Sequence, residues 1–343
     1  MSTRFRKLSL IFKTLGELGP RQVWHFATYQ IGLRSGYYRW RSPPRNPAYI
    51  PVYPVHLDKI PLPKVDALLD VLDVPARQDL DTLADELRSG KVRLFGGPPV
   101  ALRLSPPGPL QHWTAYESQL LNPDTGEAED IKWIWEPSRC IWGIQWGRTA
   151  YLSGSARDSA VFWEYVGQFW TANPPNMGPN WSSAQEIALR LISLCLAARS
   201  FSELQPLRPE ESDLLSRIVA SHADRLPLTL SYARAQNNNH LLAEAAGLYT
   251  AGILLPEHPQ ADRWRDSGWK WFNRGLQTQI AGDGSYIQNS ANYHRLMLQL
   301  ALWVNLLAAS RDEKLPSPTR DKLAASTRWL LELVDPDTGS VPN

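Results

Sequence analysis

Apolar and polar positions follow two different patterns along this chain. From about residue 130 onward, apolar residues recur at helical spacing in segments of roughly 12–20 residues separated by short breaks. The spacing predicts helices over 138–154, 156–173, 182–201, 209–226, 240–255, 261–280, 291–310 and 317–334. Gly154 and the pair Pro174–Pro175 mark breaks. Ser182 or Ser183 is placed to cap the third helix, with Glu186 positioned for a capping box. Strand signal is almost absent, so the region from 111 to 343 is expected to be all-α. No sequence repeat is visible, which disfavours a helical solenoid. Long antiparallel helix pairs joined by short loops fit an (α/α) toroid or incomplete barrel better. In that architecture the loops at one end gather into a cleft.

Residues 1–110 read differently. RSPPRNPAYIPVYPVHLDKIPLPK (41–64) cannot be regular helix, because each proline removes a donor and clashes with the preceding turn. It is expected to be an extended strap packed on the toroid. KVRLFGGPPVAL (91–102) offers a short strand and a turn. The opening MSTRFRKLSLIFKTLGELG predicts an amphipathic helix that docks on its own domain or weakly on a membrane surface. Its apolar run is broken by Lys13 and has no small-residue cleavage site, so a signal peptide is not indicated and the cytoplasm is the default location. No window approaches the ~18–20 apolar residues of a transmembrane span.

Composition narrows the chemistry. The 343 residues are 43% hydrophobic and 20% charged, with a net charge of +2, so a nucleic-acid partner is not indicated. A near-neutral total still permits a locally basic cleft and a polyanionic substrate. Tryptophan is unusually abundant, at fifteen residues. WIWEPSRCIWGIQW alone holds Trp133, Trp135, Trp142 and Trp146. Most are expected in the core, and the remainder as platforms for the apolar face of a sugar. Cys140 and Cys195 have no metal spacing and make no disulfide framework. His25, His56, His112, His222 and His258 are scattered, so no metal is expected. No phosphate loop or Gly-x-Ser-x-Gly elbow occurs, and no cofactor is expected.

Two loop-to-helix junctions carry candidate chemistry. In RAQNNNHLLAEAAGLY (234–249), one asparagine, Asn238 or Asn239, can cap the helix, while Leu241, Leu242, Ala245 and Tyr249 share its packing face. The remaining amides and His240 sit where free N–H groups and the helix dipole favour an anion, and the dipole favours a neutral imidazole. In QIAGDGSYIQNSANYHRLML, Asp283–Gly284 marks a turn, and Asn292, Tyr293 and His294 lie at the next helix start. A third stretch places Trp181 after a glycine–proline loop as a sugar-contact candidate. Glu186 and Arg190 follow it at i, i+4, the spacing of a structural ion pair.

Taken in order, several stretches resemble the heparinase II/III-like family of polysaccharide lyases, which also includes alginate lyases. They are WEPSR (135–139), AYLSG (150–154), NPPNMGPNW (173–181), EIALR (186–190), NNNHLLAEAAGLY (237–249), LPE (255–257), QIAGDGSYIQNSANYHR (279–295) and DPDTGSVPN (335–343). The resemblance runs from about residue 90 to the end. It implies an (α/α) toroid and β-elimination at a uronic acid of an acidic polysaccharide. It implies that Asn239 and His240 neutralise the carboxylate at C5, and that Tyr293 acts as acid and base. Asn238, Trp181, Asn292, His294, Glu186 and Arg190 are the candidate substrate contacts around them. The family also implies a β-sandwich partner domain that contributes a further histidine. This chain is expected to represent the toroid half, and it carries Gln288 where an acidic residue is expected in many relatives. Two other readings stand beside the lyase: a non-catalytic binder of acidic glycan, and an (α/α)-barrel glycoside hydrolase using Asp283 and Glu244.

Overall fold

The proline-punctuated N-terminal part is tied to the helical body by its backbone. A computed structural model describes residues 3–120 and 130–342, with side chains for 19–117 and 130–342. Helix α1 (Thr3–Arg34) is interrupted at Gly19 (φ 76°), and Pro20 opens its second half. The docking face expected of residues 1–18 lies outside the described side chains. Further along α1, Tyr29 stacks on Tyr232 with ring centres 4.1 Å apart. After α2 (Tyr37–Arg41), residues 42–64 run as coil with two short 3-10 turns. This strap is held by His56 N–H donating to the Leu254 carbonyl at 2.9 Å and Tyr53 N–H to Ser216 Oγ at 2.7 Å. Arg199 Nε donates to the Ile60 carbonyl at 2.9 Å. Ile50, Leu57 and Ile60 of the strap are buried.

Between the strap and the toroid, the structure adds helices that the proline pattern concealed. They are α3 (Val65–Val71) and the fifteen-residue α4 (Val74–Arg88). Asp73 caps α4 by accepting from Ala76 N–H at 2.8 Å, and Pro75 sits in the first turn. Those are ordinary start signals for a helix. Leu80, Ala84 and Leu87 form its buried face. A small antiparallel hairpin follows, β1 (Lys91–Arg93) with β2 (Pro99–Ala101), paired through Val92 and Val100. It confirms the strand-and-turn reading of 91–102. Two further short helices, α5 (Thr114–Leu120) and α6 (Lys132–Ser138), lead into the helical body.

That body consists of α7 (Ile141–Ser153), α8 (Ser159–Ala172), α9 (Ala184–Ser202), α10 (Pro209–Gln236), α11 (Asn239–Leu254), α12 (Ala261–Gln279), α13 (Ala291–Ala309) and α14 (Ser317–Leu331). Alternate helices form the inner layer: α7 packs on α9, α9 on α11, and α11 on α13. The intervening helices lie outside, with α10 against α9 and α11, and α12 against α11 and α14. This is the all-α toroid architecture that the helical spacing predicts. One hydrophobic core runs continuously from Tyr29 to Leu315.

Pro227 misleads as a helix end. The helix expected to stop at Leu226 continues through it to Gln236. An interior proline costs about 3 kcal/mol. Here α1, α9 and α11 all pack along α10, and that tertiary support keeps it continuous.

Helix α11 is buried along its whole length except at His240. Its contact with α12 is close enough to need glycine. A Cβ at Gly268 would lie 2.5 Å from the Tyr249 nitrogen and 2.6 Å from the Ala245 oxygen, and one at Gly252 would lie 2.6 Å from the Ala261 oxygen. Gly268→Ala should therefore destabilise the fold by about 1–3 kcal/mol through overpacking. Urea denaturation checks this, and an unchanged midpoint would contradict so close an approach.

Candidate active site

Inner helices α7, α9, α11 and α13 present their first turns to one another. Three asparagines make the sharpest of these junctions, and each has its own task. Asn237 ends α10 in the left-handed conformation (φ 45°), its N–H returning to the Ala233 carbonyl at 3.0 Å. Asn238 caps α11, its Oδ1 accepting from His240 N–H at 3.0 Å. Asn239 is the first residue of α11 and is buried. Its side-chain Nδ2 donates to Gln185 Oε1 at 2.6 Å, and its backbone N–H donates to Gln288 Oε1 at 3.0 Å. Two helices thus meet with only Asn237 and Asn238 between them.

The turn 280–290 is clamped to this junction. Ile280 and Tyr286 form an antiparallel bridge, and Tyr286 OH donates to Gln279 Oε1 at 2.8 Å. Gln279 Nε2 in turn donates to the Asn238 carbonyl at 3.1 Å and reaches Asn237 Oδ1 at 3.3 Å. Gln288, at the position where an acidic residue was expected, therefore serves as a neutral acceptor for a helix-start N–H.

Charge at the site is arranged in pairs. Arg139, just before α7, binds Glu186 in two parallel hydrogen bonds, Nε–Oε2 at 2.5 Å and Nη2–Oε1 at 3.0 Å. It also pairs with Glu136. Burial pushes the Glu136 carboxyl up, opposed by the Arg139 charge. Arg139 also lies within electrostatic range of Tyr293, which is 42% exposed in the first turn of α13. His240 lines a cleft of about 270 Å3 together with Trp135, Ser182, Tyr232 and Glu244. Burial pushes its pKa down to about 4, against an opposing pull from the Glu186 carboxylate. The imidazole is therefore neutral near pH 7, with desolvation the main cause rather than the helix dipole alone. One turn further along α11, Glu244 is pushed well above the usual carboxylate range by burial, with Arg225 opposing, and one of its oxygens has no partner among the described residues.

Several candidate contacts lie elsewhere than expected. Trp181 is not at a loop tip: it is 0% exposed and its indole N–H donates to the Asn173 carbonyl at 3.1 Å. His294 faces inward, stacked on Trp329 at 4.9 Å and bonded to Ser326, because the α13 face it occupies packs on α14. Arg190 is fully buried, donating to the Ser138 and Asn180 carbonyls and meeting His222. It is a structural group, and Glu186 pairs with Arg139 rather than with Arg190. Asn292 is exposed and accepts from Arg295. Of the tryptophans in 133–146, Trp133 is 50% exposed and packs edge-on against Phe95, whereas Trp142 and Trp146 are core. Asp283, proposed for a hydrolase, is exposed and turned onto Ser285, whose N–H and hydroxyl lower its pKa. It does not line the cleft with Glu244. No helix among the described residues is long and apolar enough to cross a membrane, and no His/Cys/Asp/Glu cluster there could hold a metal.

Arg139, Glu136, Gln185 and the precise task of Gln288 escaped sequence reasoning. The available signals were weak: WEPSR was part of a recognised stretch, and Gln185 sits beside the capping residue Glu186.

Comparison with known proteins gives a consistent family. The model described as the heparinase II/III N-terminus matches residues 112–343. A heparin-sulfate lyase of Bacteroides thetaiotaomicron is 26% identical over 156 residues, covering 45% of this chain and 22% of that protein. One of Bacteroides stercoris is 39% identical over 96 residues, covering 27% and 14%. In structure, heparan sulfate lyase HepC from Pedobacter heparinus aligns with a TM-score of 0.51 and 19% identity, over 77% of this chain and 40% of that one. A crystal structure of heparinase III aligns at 0.50 and 17%, over 93% and 46%. At such identities the structural match speaks for the fold. This chain spans less than half the length of the solved relatives and less than a quarter of the sequence relatives.

The electrostatics of His240 make a direct prediction. Its folded-state pKa lies below the free value of about 6.5, so protonation opposes folding. The stability it contributes above about pH 6.5 is lost as pH falls toward about 4. An NMR titration of its ring protons should show a midpoint near 4, and His240→Gln should flatten the acid limb of stability. A midpoint at or above the free value would contradict the buried placement.

Proposed function

The chain belongs to the heparinase II/III family, and we propose that it forms the helical part of a polysaccharide lyase that cleaves a uronic-acid-containing glycosaminoglycan by β-elimination. The observation that supports this reading is the start of α11, where Asn239 bonds to Gln185 with His240 beside it, together with the neighbouring Glu186–Arg139 pair, which lies within electrostatic range of Tyr293. The sequence relatives are heparin-sulfate lyases, which supports a sulfated uronate polymer as substrate.

The chemical difficulty is that the C5 proton of a uronate is barely acidic while its carboxylate carries a full negative charge. Donors placed on that carboxylate disperse the charge and stabilise the enolate-like transition state. Neutral His240 can donate without competing for the proton, and the second amide hydrogen of Asn239 adds a donor beside it. Helix-start dipoles contribute partial positive charge at the same place. Tyr293, exposed in the first turn of α13, takes the C5 proton as the phenolate and, as the phenol so formed, returns that proton to the C4-linked oxygen as its bond to C4 breaks. No water is consumed, so cleavage yields an unsaturated uronate and a new hydroxyl end. A β-sandwich partner domain would supply the facing wall and the further histidine that the family implies.

A second reading has its own support. Arg139 is already neutralised by Glu186 and Glu136, and Asn239 is only 3% exposed. Both features withdraw donors from a C5 carboxylate and so weigh against turnover, leaving glycan binding to be carried elsewhere on the chain.

Digestion of uronic-acid polymers, with and without a β-sandwich partner, tests both. The lyase reading expects a product absorbing in the ultraviolet, lowered roughly 10²–10⁴-fold by Tyr293→Phe and roughly 10²–10³-fold by Asn239→Ala. Equal binding by wild type and Tyr293→Phe with no chromophore from either would support the binding reading. Products heavier by one water per cut would point to hydrolysis and remove the lyase assignment.

A further inference from the structure

One groove outside the candidate site combines positive charge with aromatic surface. It encloses about 490 Å3 on the flank of α10, between the end of α2 and the start of α12. That size lies within the roughly 300–1,000 Å3 typical of small-ligand sites. Arg41, Arg45, Arg225 and Arg263 line it, against one carboxylate, that of Asp224, among the described residues. Asp224 is 2.8 Å from Arg45 and offsets that charge. Arg225 is buried with its guanidinium 3.7 Å from the centre of the Trp113 ring, so it contributes field more than direct contact. Arg41 and Arg263 are exposed and can reach a ligand.

Tyr37 lines the groove, 47% exposed, and its ring stands 6.1 Å from that of Trp40, the 73% exposed residue before Arg41. Arg41 lies 5.8 Å from the Trp40 ring centre. The wall also holds the Ser221 hydroxyl, buried and without a hydrogen-bond partner among the described residues. Planar guanidiniums match carboxylate or sulfate oxygens in pairs, and indole and phenol faces cover the C–H side of a pyranose. An acidic sugar presents both kinds of surface at once.

We propose that this groove is a second binding site for an acidic pyranose chain, separate from the candidate active site. The two share no lining residue. Arg225 stands between them, its Nη1 bonded to Thr229 at 3.1 Å and Nη2 to the Ser182 carbonyl at 3.3 Å, both on the wall of the His240 cleft. The choice of a glycan over other polyanions rests on the functional reading above together with the two exposed rings. A site of this kind holds a long polymer while its cleavable stretch is engaged elsewhere.

The test uses Tyr293→Phe as background to keep the ligand intact, and a size-homogeneous octasaccharide of glucuronate and N-acetylglucosamine as probe. Calorimetry is run at low salt and at about 0.15 M, where screening acts over ~8 Å. We expect two classes of site. Adding Arg41→Ala with Arg263→Ala should weaken one class at least tenfold and reduce its salt dependence, and Tyr37→Ala should weaken the same class. Unchanged titrations in these variants overturn the groove. So does an equally charged single-stranded DNA competing as well as the octasaccharide with no dependence on Tyr37, since the site would then be a general polyanion patch. Chromophore formation by the otherwise wild-type chain separates the two proposals. Cleavage with unchanged titrations removes only the groove, and an arginine-dependent site with no cleavage either alone or with a β-sandwich partner added removes only the lyase reading. Absence of any octasaccharide binding overturns both.

Discussion

Helix α11 has no solvent-facing side, and the candidate site is a consequence of that constraint. Water cannot satisfy the first backbone donors of a helix packed on every flank, so neighbouring side chains must do so. Asn238 and Gln288 accept from the first two of them, and Gln185 takes the amide hydrogen of Asn239. Each acceptor belongs to a different segment. Satisfying one helix start therefore draws α9 and the 280–290 turn to the same point. The single residue of α11 left partly open, His240, then faces the resulting cleft.

Charge within that cleft is muted. His240 is held neutral by burial and Glu244 is pushed toward its protonated form, while the Arg139 guanidinium outside the cleft lining is shared by two glutamates. Neutral donors and helix-start dipoles are what remain to meet an anion. Such a setting can disperse a carboxylate's charge without locking it in a rigid ion pair, which suits an intermediate that must form and then collapse. The groove on α10 has the opposite character, with exposed arginines and little carboxylate to offset them. Holding a polymer calls for such charge, whereas labilising a proton calls for the quieter cleft.

Local patterning exposed much of this molecule. The segments from 138 to 334 became α7 to α14 because helical periodicity is written in neighbours three and four residues apart. Ser183 and Asn238 cap the helices as their residue types suggest. Pro227 was misjudged because its local cost is outweighed by packing along α10, and α4 was hidden among prolines although Asp73 and Pro75 announce its start. Trp181 and Trp133 show the limit most clearly. Both are tryptophans near loops, yet one is core and the other open, and nothing within a few residues of either distinguishes them.

The sequence by itself determined the helical segments from 138 onward and which polar residues stand at their starts, since caps and periodicity act over one or two turns. Only the tertiary structure decided which of those polar groups meet. Glu186 has Arg190 one turn away in its own helix, but Arg190 is buried on carbonyl acceptors and Arg139 arrives from before α7 to take the pair. Burial, not spacing, selected the partner, because a charge withdrawn from water is held by whichever group the packing brings within hydrogen-bond reach.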